Sequence, residues 1–521
     1  MGMVDAHQTH GKCTDCSLLA LRQEVIRHKA DAHSLRGLRE LDAKRIELLE
    51  EKLAKAQAQL RYERDQRYGK KNEQKGSKGG EGKAPQNEKA TKKKRGRQPG
   101  STAPKRRPLE GLTTQEEEAK VDDNLRNCPC CGLPLSSMPP ETVTVREIEV
   151  KSYFRKINKE RLTPTCHCGA LPGVVTASAV GPLFPGSNLG VSMFGELLMG
   201  RFHDGLSMNR VLERLASYGH DLAPGTIHSL LPNILELMKP IFEEIAKHNR
   251  EAKHWHADET THRVFVEVPG KVGHRWYLWV FVSKDSTVFM MRKDRSAQAI
   301  RDHLGMDAEG IISADRAKMY IAYAGENPKI EIAFCWVHAR RDFLKIAVEY
   351  PELKSWADAW SDRISYLFHL DHNRSNSPQD EALLRKAMAE FETDWRLELA
   401  SAKPHTPQIK VLTSLNNHWI GLTVFLDHPE IPMDNNPAEL ALRWEVIARK
   451  SIYGCRSLAS AELLATMASI TTTLEQNGRS IRDWLISYLT ACARNGGKPP
   501  QDVSPWLPWP TVVQEGKVIA A

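Results

Sequence analysis

The sequence predicts a multidomain α+β protein: a leading helix, a cysteine-bearing module, a helical pair, and a strand-rich core interrupted by more helices. Three observations carry this. Residues 18–68 are rich in Leu, Ala, Arg, Glu and Lys and contain no Pro. Seven of the ten cysteines fall into three tight groups: Cys13 and Cys16; Cys128, Cys130 and Cys131; Cys166 and Cys168. From residue 254 onward, short runs of Val, Ile, Phe and Trp alternate first with turns and then with helical patterns. A length of 521 residues fits roughly three to four domains of about 150 residues each.

The first element is a helical segment over 17–68. Ile46, Leu49, Leu53, Ala56 and Leu60 keep the alternating three-four spacing of a heptad seam. A coiled-coil dimer and a single amphipathic helix folded onto its own chain both satisfy that spacing. Residues 69–120 then switch to Lys, Gly, Gln, Ser and Pro, a composition that cannot bury enough apolar surface to order itself. Within "TKKKRGRQPGSTAPKRR" (91–107) there are eight Lys or Arg and no acid. Lys93, Lys94, Arg95 and Arg97 are the candidate phosphate contacts, because such a block suits a polyanion; a solubilising linker is the plainer reading.

Residues 121–180 predict a zinc-binding module. "CPCCG" (128–132) and "TPTCHCGA" (163–170) are two cysteine knuckles separated by a hairpin-sized segment, which suits a tetrahedral thiolate site for structural Zn²⁺. Cys128, Cys131, Cys166 and Cys168 are the expected ligands. The one-residue gap between Cys166 and Cys168 leaves Cys130 or His167 as alternatives. Residues 187–245 read as helix, Gly219-bearing turn, and a second helix opened by Pro224, the outline of a helix-turn-helix.

The core spans 250–490. "HWHADETTHRVFVEV", "HRWYLWVFVS" and "STVFMMRKD" predict three hairpin-connected strands, followed by a helix, a strand ("GIISADRAKMYIAYA") and another strand ("KIEIAFCWVHARRDFL"). That order is the order of a ribonuclease-H-like α/β fold. A helical insertion is expected at about 342–405, a final helix from "MDNNPAELALRWEVIARK" (433–450), and a C-terminal tail over 491–521. Asp434 or Asn435 is expected to cap that final helix, with Asn435 and Asn436 serving the cap first and substrate second.

In that topology Asp258 lies on the first strand and Asp315 on the fourth, its neighbour, with Glu439 on the helix packing behind. Three carboxylates at one point repel, and divalent cation is the remedy. Two Mg²⁺ (or Mn²⁺) ions about 3.5–4 Å apart suit phosphodiester chemistry and need hard oxygen ligands. Glu259, next to Asp258 on a strand, points to the opposite face and is expected to be a support or surface residue. Arg340 and Arg341 are candidates for clamping a phosphate or for bridging the inserted helices. His338 is a candidate for orienting water or for a hydrogen bond within the fold.

At these residues the chain resembles the insertion sequence 66 family of transposases. The resemblance rests on "ADET" (257–260), "SADRAKMYIAYA" (313–324), "CWVHARRDF" (335–343), "DNNPAE" (434–439) and "ARKSIYG" (448–454), with "RDQRYGKKNEQ" (64–74) and "WLPWP" (506–510) outside the core. It implies a DNA-cutting-and-joining enzyme whose acidic triad is Asp258, Asp315 and Glu439. It also implies binding of terminal inverted repeats and target DNA, a homo-oligomer, and small accessory proteins of the same element. The sequence departs from the family at Leu440, where Arg is usual, and at Arg316-Ala317, where Gly-Tyr is common. Two further readings fit the same residues: a nuclease or resolvase without strand transfer, and a DNA-binding protein whose catalytic core has decayed. The longest apolar run, "WYLWVFV", is far below the ~20 residues of a membrane span, and "MGMVDAHQTHGKC" holds no apolar signal region. A cytoplasmic protein acting at the nucleoid, with no membrane partner, is expected.

Overall fold

A run such as "WYLWVFV", apolar at every position, is stable only as a strand buried on both faces. In the computed structural model it forms β2 (Trp276–Val282) of a five-stranded mixed sheet. The other strands are β1 (His254–His262), β3 (Thr287–Arg292), β4 (Gly310–Ala314) and β5 (Ile330–Phe334). Their spatial order is β3-β2-β1-β4-β5. β2 is antiparallel to both β1 and β3, whereas β1, β4 and β5 run parallel. The structure describes residues 18, 20–27, 39–68, 173–268, 274–374, 377–401 and 406–509, with parts of 116–165. Lys93, Lys94, Arg95, Arg97, Cys166, His167 and Cys168 lie outside the described residues.

The chain divides into two units, residues 74–151, and residues 1–73 with 152–521. In the smaller unit the segment around Cys128 closes on itself. Cys128 N–H donates to the Leu133 carbonyl at 2.8 Å, and Gly132 N–H donates to the Cys128 carbonyl at 2.9 Å. Gly132 takes φ 74°, a conformation that favours glycine.

In the larger unit, α1 (Arg39–Tyr68) packs against α7 (Trp336–Glu349), and Lys345 Nζ sits 5.1 Å over the Tyr62 ring. α1 thus meets its own chain through the segment that holds Tyr62. The helices α2 (Val191–Leu198), α3 (Met208–Ser217) and α4 (Pro224–Arg250) precede the sheet. Ser207 caps α3 by accepting from Arg210 N–H, Gly219 turns the chain at φ 91°, and Pro224 opens α4. At its far end α4 is anchored to the sheet by Asn249, which is fully buried. Its amide donates to the Ser286 carbonyl at 3.1 Å and its oxygen meets His303 Nε2 at 2.7 Å.

α5 (Ala297–Leu304) and α6 (Lys318–Glu326) connect the strands. After β5 come α7, α8 (Lys354–Asn373), α9 (Pro378–Ser401) and α10 (Pro407–Asp427). The helical stretch thus runs past residue 405 to Asp427, because the apolar side of α10 packs on β5. Next come α11 (Asn436–Ile452), α12 (Leu458–Gln476) and α13 (Ile481–Arg494). The segment after α13 folds back rather than trailing away. The Trp484 indole donates to the Trp506 carbonyl at 2.6 Å, and Trp509 stacks on His248 with centroids 4.0 Å apart. Among the described residues no helix is long and apolar enough to cross a membrane.

Two local outcomes differ from the sequence expectation. β1 ends at His262, not near Val268, because Val264 leaves the hairpin to form an isolated parallel bridge with Cys455. α10 approaches β5 closely enough that only glycine fits at position 421. A Cβ there would lie 2.6 Å from Phe334 Cε2 and 2.7 Å from the Ile332 carbonyl oxygen. Gly421→Ala is therefore expected to cost about 1–3 kcal/mol through overpacking, read as a lower midpoint in thermal or urea denaturation.

Candidate active site

The parallel pairing of β1 with β4 ends at His256↔Ser313. Asp258 lies two residues beyond that pair on β1, and Asp315 directly follows the last residue of β4. Both acids thus lie just past the carboxyl end of the parallel pairing between neighbouring strands, the side on which open α/β sheets place their ligand crevices. Asp258 is paired across the hairpin with Val280, and Glu259 with Trp279. Directly opposed residues share a face, so the two adjacent acids point to opposite sides of the sheet. Asp258 faces the cluster that includes Val280, Ala438 and Leu442 of α11.

The third acid arrives on α11, whose start is fixed by one buried side chain. Asn435 is 1% exposed. Its amide nitrogen donates to the Ala257 carbonyl at 2.8 Å, and its oxygen lies 3.1 Å from His256 Nδ1. Asn435 sits at the N-cap position, but its side chain makes no capping bond. The expected side-chain cap is absent because both ends of the amide are taken by β1. Asp434 instead accepts from Asn436 N–H at 3.0 Å and from the Asn436 amide at 2.8 Å. A second stitch joins α7 to the same loop, Trp336 N–H to the Met433 carbonyl at 2.8 Å, and Cys335 N–H donates to the Ala314 carbonyl at 3.0 Å. Glu439 follows in the first turn of α11.

Burial pushes the Asp258 carboxyl up to about 7, and the negative charges of Glu259, Asp315 and Glu439 add to that shift. Glu259 is also pushed up to about 7, first by burial, while Arg295 and the Tyr320 hydroxyl pull it back. Its side chain is 1% exposed, accepts from Arg295 at 2.5 Å and from Tyr320 at 2.8 Å. Glu259 is thus a buried support and not a surface residue. Arg295 also lies 3.7 Å from Asp315 Oδ2 and ties the two acids together. Asp315 Oδ1 accepts from Ala317 N–H at 2.9 Å.

Other residues singled out in the sequence fall in different places. Arg340 reaches the Ser361 carbonyl on α8 at 3.4 Å, the bridging role to the inserted helices. Arg341 is exposed on α7, and its charge acts on His338. Arg316 staples three elements, donating to Asp342 Oδ2 at 2.7 Å and to Ser414 Oγ at 2.8 Å. Leu440 is 56% exposed. In the smaller unit, the N–H groups of Cys131 and Cys130 and the Cys131 thiol hold the Cys128 thiol below its ordinary range. Arg295, Tyr320 and Cys335 have roles here that the sequence did not signal.

Asp258, Asp315 and Glu439 offer hard carboxylate oxygens, the donor type that suits divalent cations. Asp258 faces α11, whose first turn holds Glu439, and Arg295 ties Asp315 to Glu259. Glu439 Oε1 is buried with no hydrogen-bond partner and lies 3.8 Å from His338 Nδ1. A buried carboxylate oxygen left without a partner is relieved by a cation. Asp258, Asp315 and Glu439 are the oxygen donors available for one.

Among known proteins, the chain is similar to the family described as Transposase IS66 family, whose model matches residues 186–463. It is 24% identical over 426 residues to the uncharacterized protein y4hP of Sinorhizobium fredii, covering 76% of this chain and 75% of that protein. It is 23% identical over 413 residues to the uncharacterized protein y4jD of the same organism, covering 75% and 79% respectively.

The raised carboxyls give a signed pH prediction for the metal-free protein. An unfolded Asp titrates near ~4, and the fold holds the Asp258 proton up to about 7. The folded chain therefore binds more protons between about pH 4 and pH 7, so its stability falls across that window and levels off above it. Asp258→Asn removes the cost. Its melting temperature is expected to match the parent's near pH 4 and to exceed it by a few degrees at about pH 8. Addition of Mg²⁺ should close the gap, all measured by differential scanning fluorimetry.

Proposed function

Because the chain belongs to the IS66 family of transposases, we propose that Asp258, Asp315 and Glu439 are its acidic triad. The protein binds the terminal inverted repeats of its element, cleaves the strand there, and joins the freed 3′-hydroxyl to target DNA. The observation that carries this reading is that Asp258 and Asp315 lie just past the parallel pairing of β1 with β4, while Glu439 lies in the first turn of α11, which packs against β1. Three acids remote in sequence act on one another at one end of the sheet. The strand order β3-β2-β1-β4-β5, with β2 antiparallel and β4 and β5 parallel to β1, supports a ribonuclease-H-like core.

When bound, divalent metal supplies charge neutralisation at the scissile phosphate and activates the attacking oxygen. The chain's own residues do the rest. Asp258, Asp315 and Glu439 provide hard oxygen ligands on three separate elements. Arg295 and Tyr320 hold Glu259 and keep its charge off the open side of the sheet. Asn435 fixes the distance between β1 and α11, and hence the position of Glu439. Beyond Glu439, the exposed side of α11 carries Arg443, Trp444 and Lys450, with Trp444 71% exposed. That side matches the phosphate and base surface of a DNA flank.

The helical pair α3 and α4 supports the helix-turn-helix reading, since the first turns of α4 leave Thr226, His228, Ser229 and Asn233 exposed. Cys128 and Cys131, in a tight turn with a lowered thiol, support half of a structural zinc site. The chain works as a homo-oligomer with accessory proteins of its element.

Asp258→Asn and Asp315→Asn are each expected to reduce Mg²⁺-dependent cleavage of end-containing DNA by at least about 10³-fold, while gel-shift binding of the same DNA persists. Undiminished cleavage in either variant refutes the triad. Pre-cleaved ends bearing a free 3′-hydroxyl should be joined to target DNA by the parent, which a nuclease or resolvase without strand transfer would not do.

A further inference from the structure

Glu439 has a second set of neighbours. Cys335 and His338 stand one helical turn apart at the start of α7, where the side chains of residues three apart share a face. Among the described residues, Cys335, His338 and Glu439 form a set of three donors with ligand atoms all within 4.8 Å of one another. His338 Nδ1 lies 3.8 Å from Glu439 Oε1, too far for a hydrogen bond. Both atoms are buried, and neither has a hydrogen-bond partner. Two complementary polar atoms left bare and facing each other across that gap leave room for an ion between them. Tetrahedral zinc, with bonds of about 2.0–2.3 Å to N, O and S, separates its ligand atoms by about 3.3–3.6 Å.

We propose that Cys335, His338 and Glu439 bind a borderline-soft transition-metal ion, typified by Zn²⁺, with a water completing four-coordination. Thiolate and imidazole exclude Mg²⁺ and favour zinc or cobalt, so this site is chemically distinct from one built of carboxylates alone. Binding deprotonates the Cys335 thiol and releases the proton to solvent. The binding stands on the donor geometry alone. Its consequence rests on the triad reading: zinc takes Glu439 away from Asp258 and Asp315, so zinc holds the enzyme inactive until it is removed.

The probe is Co²⁺, whose spectrum reports both thiolate ligation and tetrahedral geometry. Full-length parent, Cys335→Ser, Cys335→Ala and His338→Gln are each titrated with Co²⁺. The parent is expected to bind one more Co²⁺ than either Cys335 variant and to show a near-ultraviolet thiolate band that they lack. His338→Gln should weaken that site by at least about 10-fold. Asp258→Asn should leave the band unchanged. Two alternative replacements at position 335 guard against one that fails to fold, and circular dichroism identifies it. Identical Co²⁺ stoichiometry and spectra in the parent and a folded Cys335 variant overturn the site, cysteines elsewhere in the chain then accounting for the band. In Mg²⁺-supported cleavage, Zn²⁺ should inhibit the parent at a concentration at least about 10-fold lower than that needed for Cys335→Ser. Equal inhibition of the two overturns the coupling while leaving the site intact. If the parent cleaves no DNA at all, the triad reading fails, and the Co²⁺ titration still decides the site.

Discussion

One buried amide holds the arrangement of acids together. Asn435 bonds at both ends to β1, through the Ala257 carbonyl and His256, across 178 residues of intervening chain. It is 1% exposed, so a lost partner would leave a buried polar group unsatisfied, at about 1–3 kcal/mol. Because Ala257 directly precedes Asp258, and Asn435 opens the helix bearing Glu439, this contact sets how far apart those two carboxylates stand. Asp315 follows from sheet pairing alone. Cys335 N–H to Ala314 and Trp336 N–H to Met433 then lock α7 into the same joint.

The site is held at an electrostatic cost. Two carboxyls on consecutive residues are both raised to about 7, a condition a fold keeps where a counter-charge repays it. The protein manages the two differently. Glu259 receives internal partners, Arg295 and Tyr320, and is settled without a ligand. Asp258 accepts from its neighbour's backbone N–H at 2.8 Å and otherwise feels the charges of Glu259, Asp315 and Glu439. Glu439 Oε1 lies 3.8 Å from His338 Nδ1, and its charge also acts on Asp258.

Much of this was legible before any coordinates. Asp258 and Asp315 stood out because each falls on or directly after a predicted strand, and those strands are neighbours in the predicted order. Gly219 and Pro224 marked the turn between α3 and α4 through their backbone requirements. The illegible parts are non-local. Asn435 read as a cap because Asn favours that position, and only the sheet reveals that β1 claims its amide. Glu259 read as a support or surface residue because period two sends it away from Asp258, yet nothing local announces that Tyr320 and Arg295 bury it. "VFVEV" looked like a continued strand, because alternation cannot show that Val264 pairs with Cys455. The helical stretch extended to Asp427 because α10 has an apolar side meant for β5, which a polar insertion boundary near residue 405 could not disclose.

The proposed triad requires one shared cation environment for Asp258, Asp315 and Glu439, and Fe²⁺ in place of Mg²⁺ reads it directly. With ascorbate and peroxide, bound Fe²⁺ cuts the backbone next to its ligands, and mass spectrometry maps the cuts. Cuts clustered around residues 258, 315 and 439 together, suppressed by excess Mg²⁺, are the predicted result. Cuts confined to one of those segments, or scattered without Mg²⁺ competition, would contradict it.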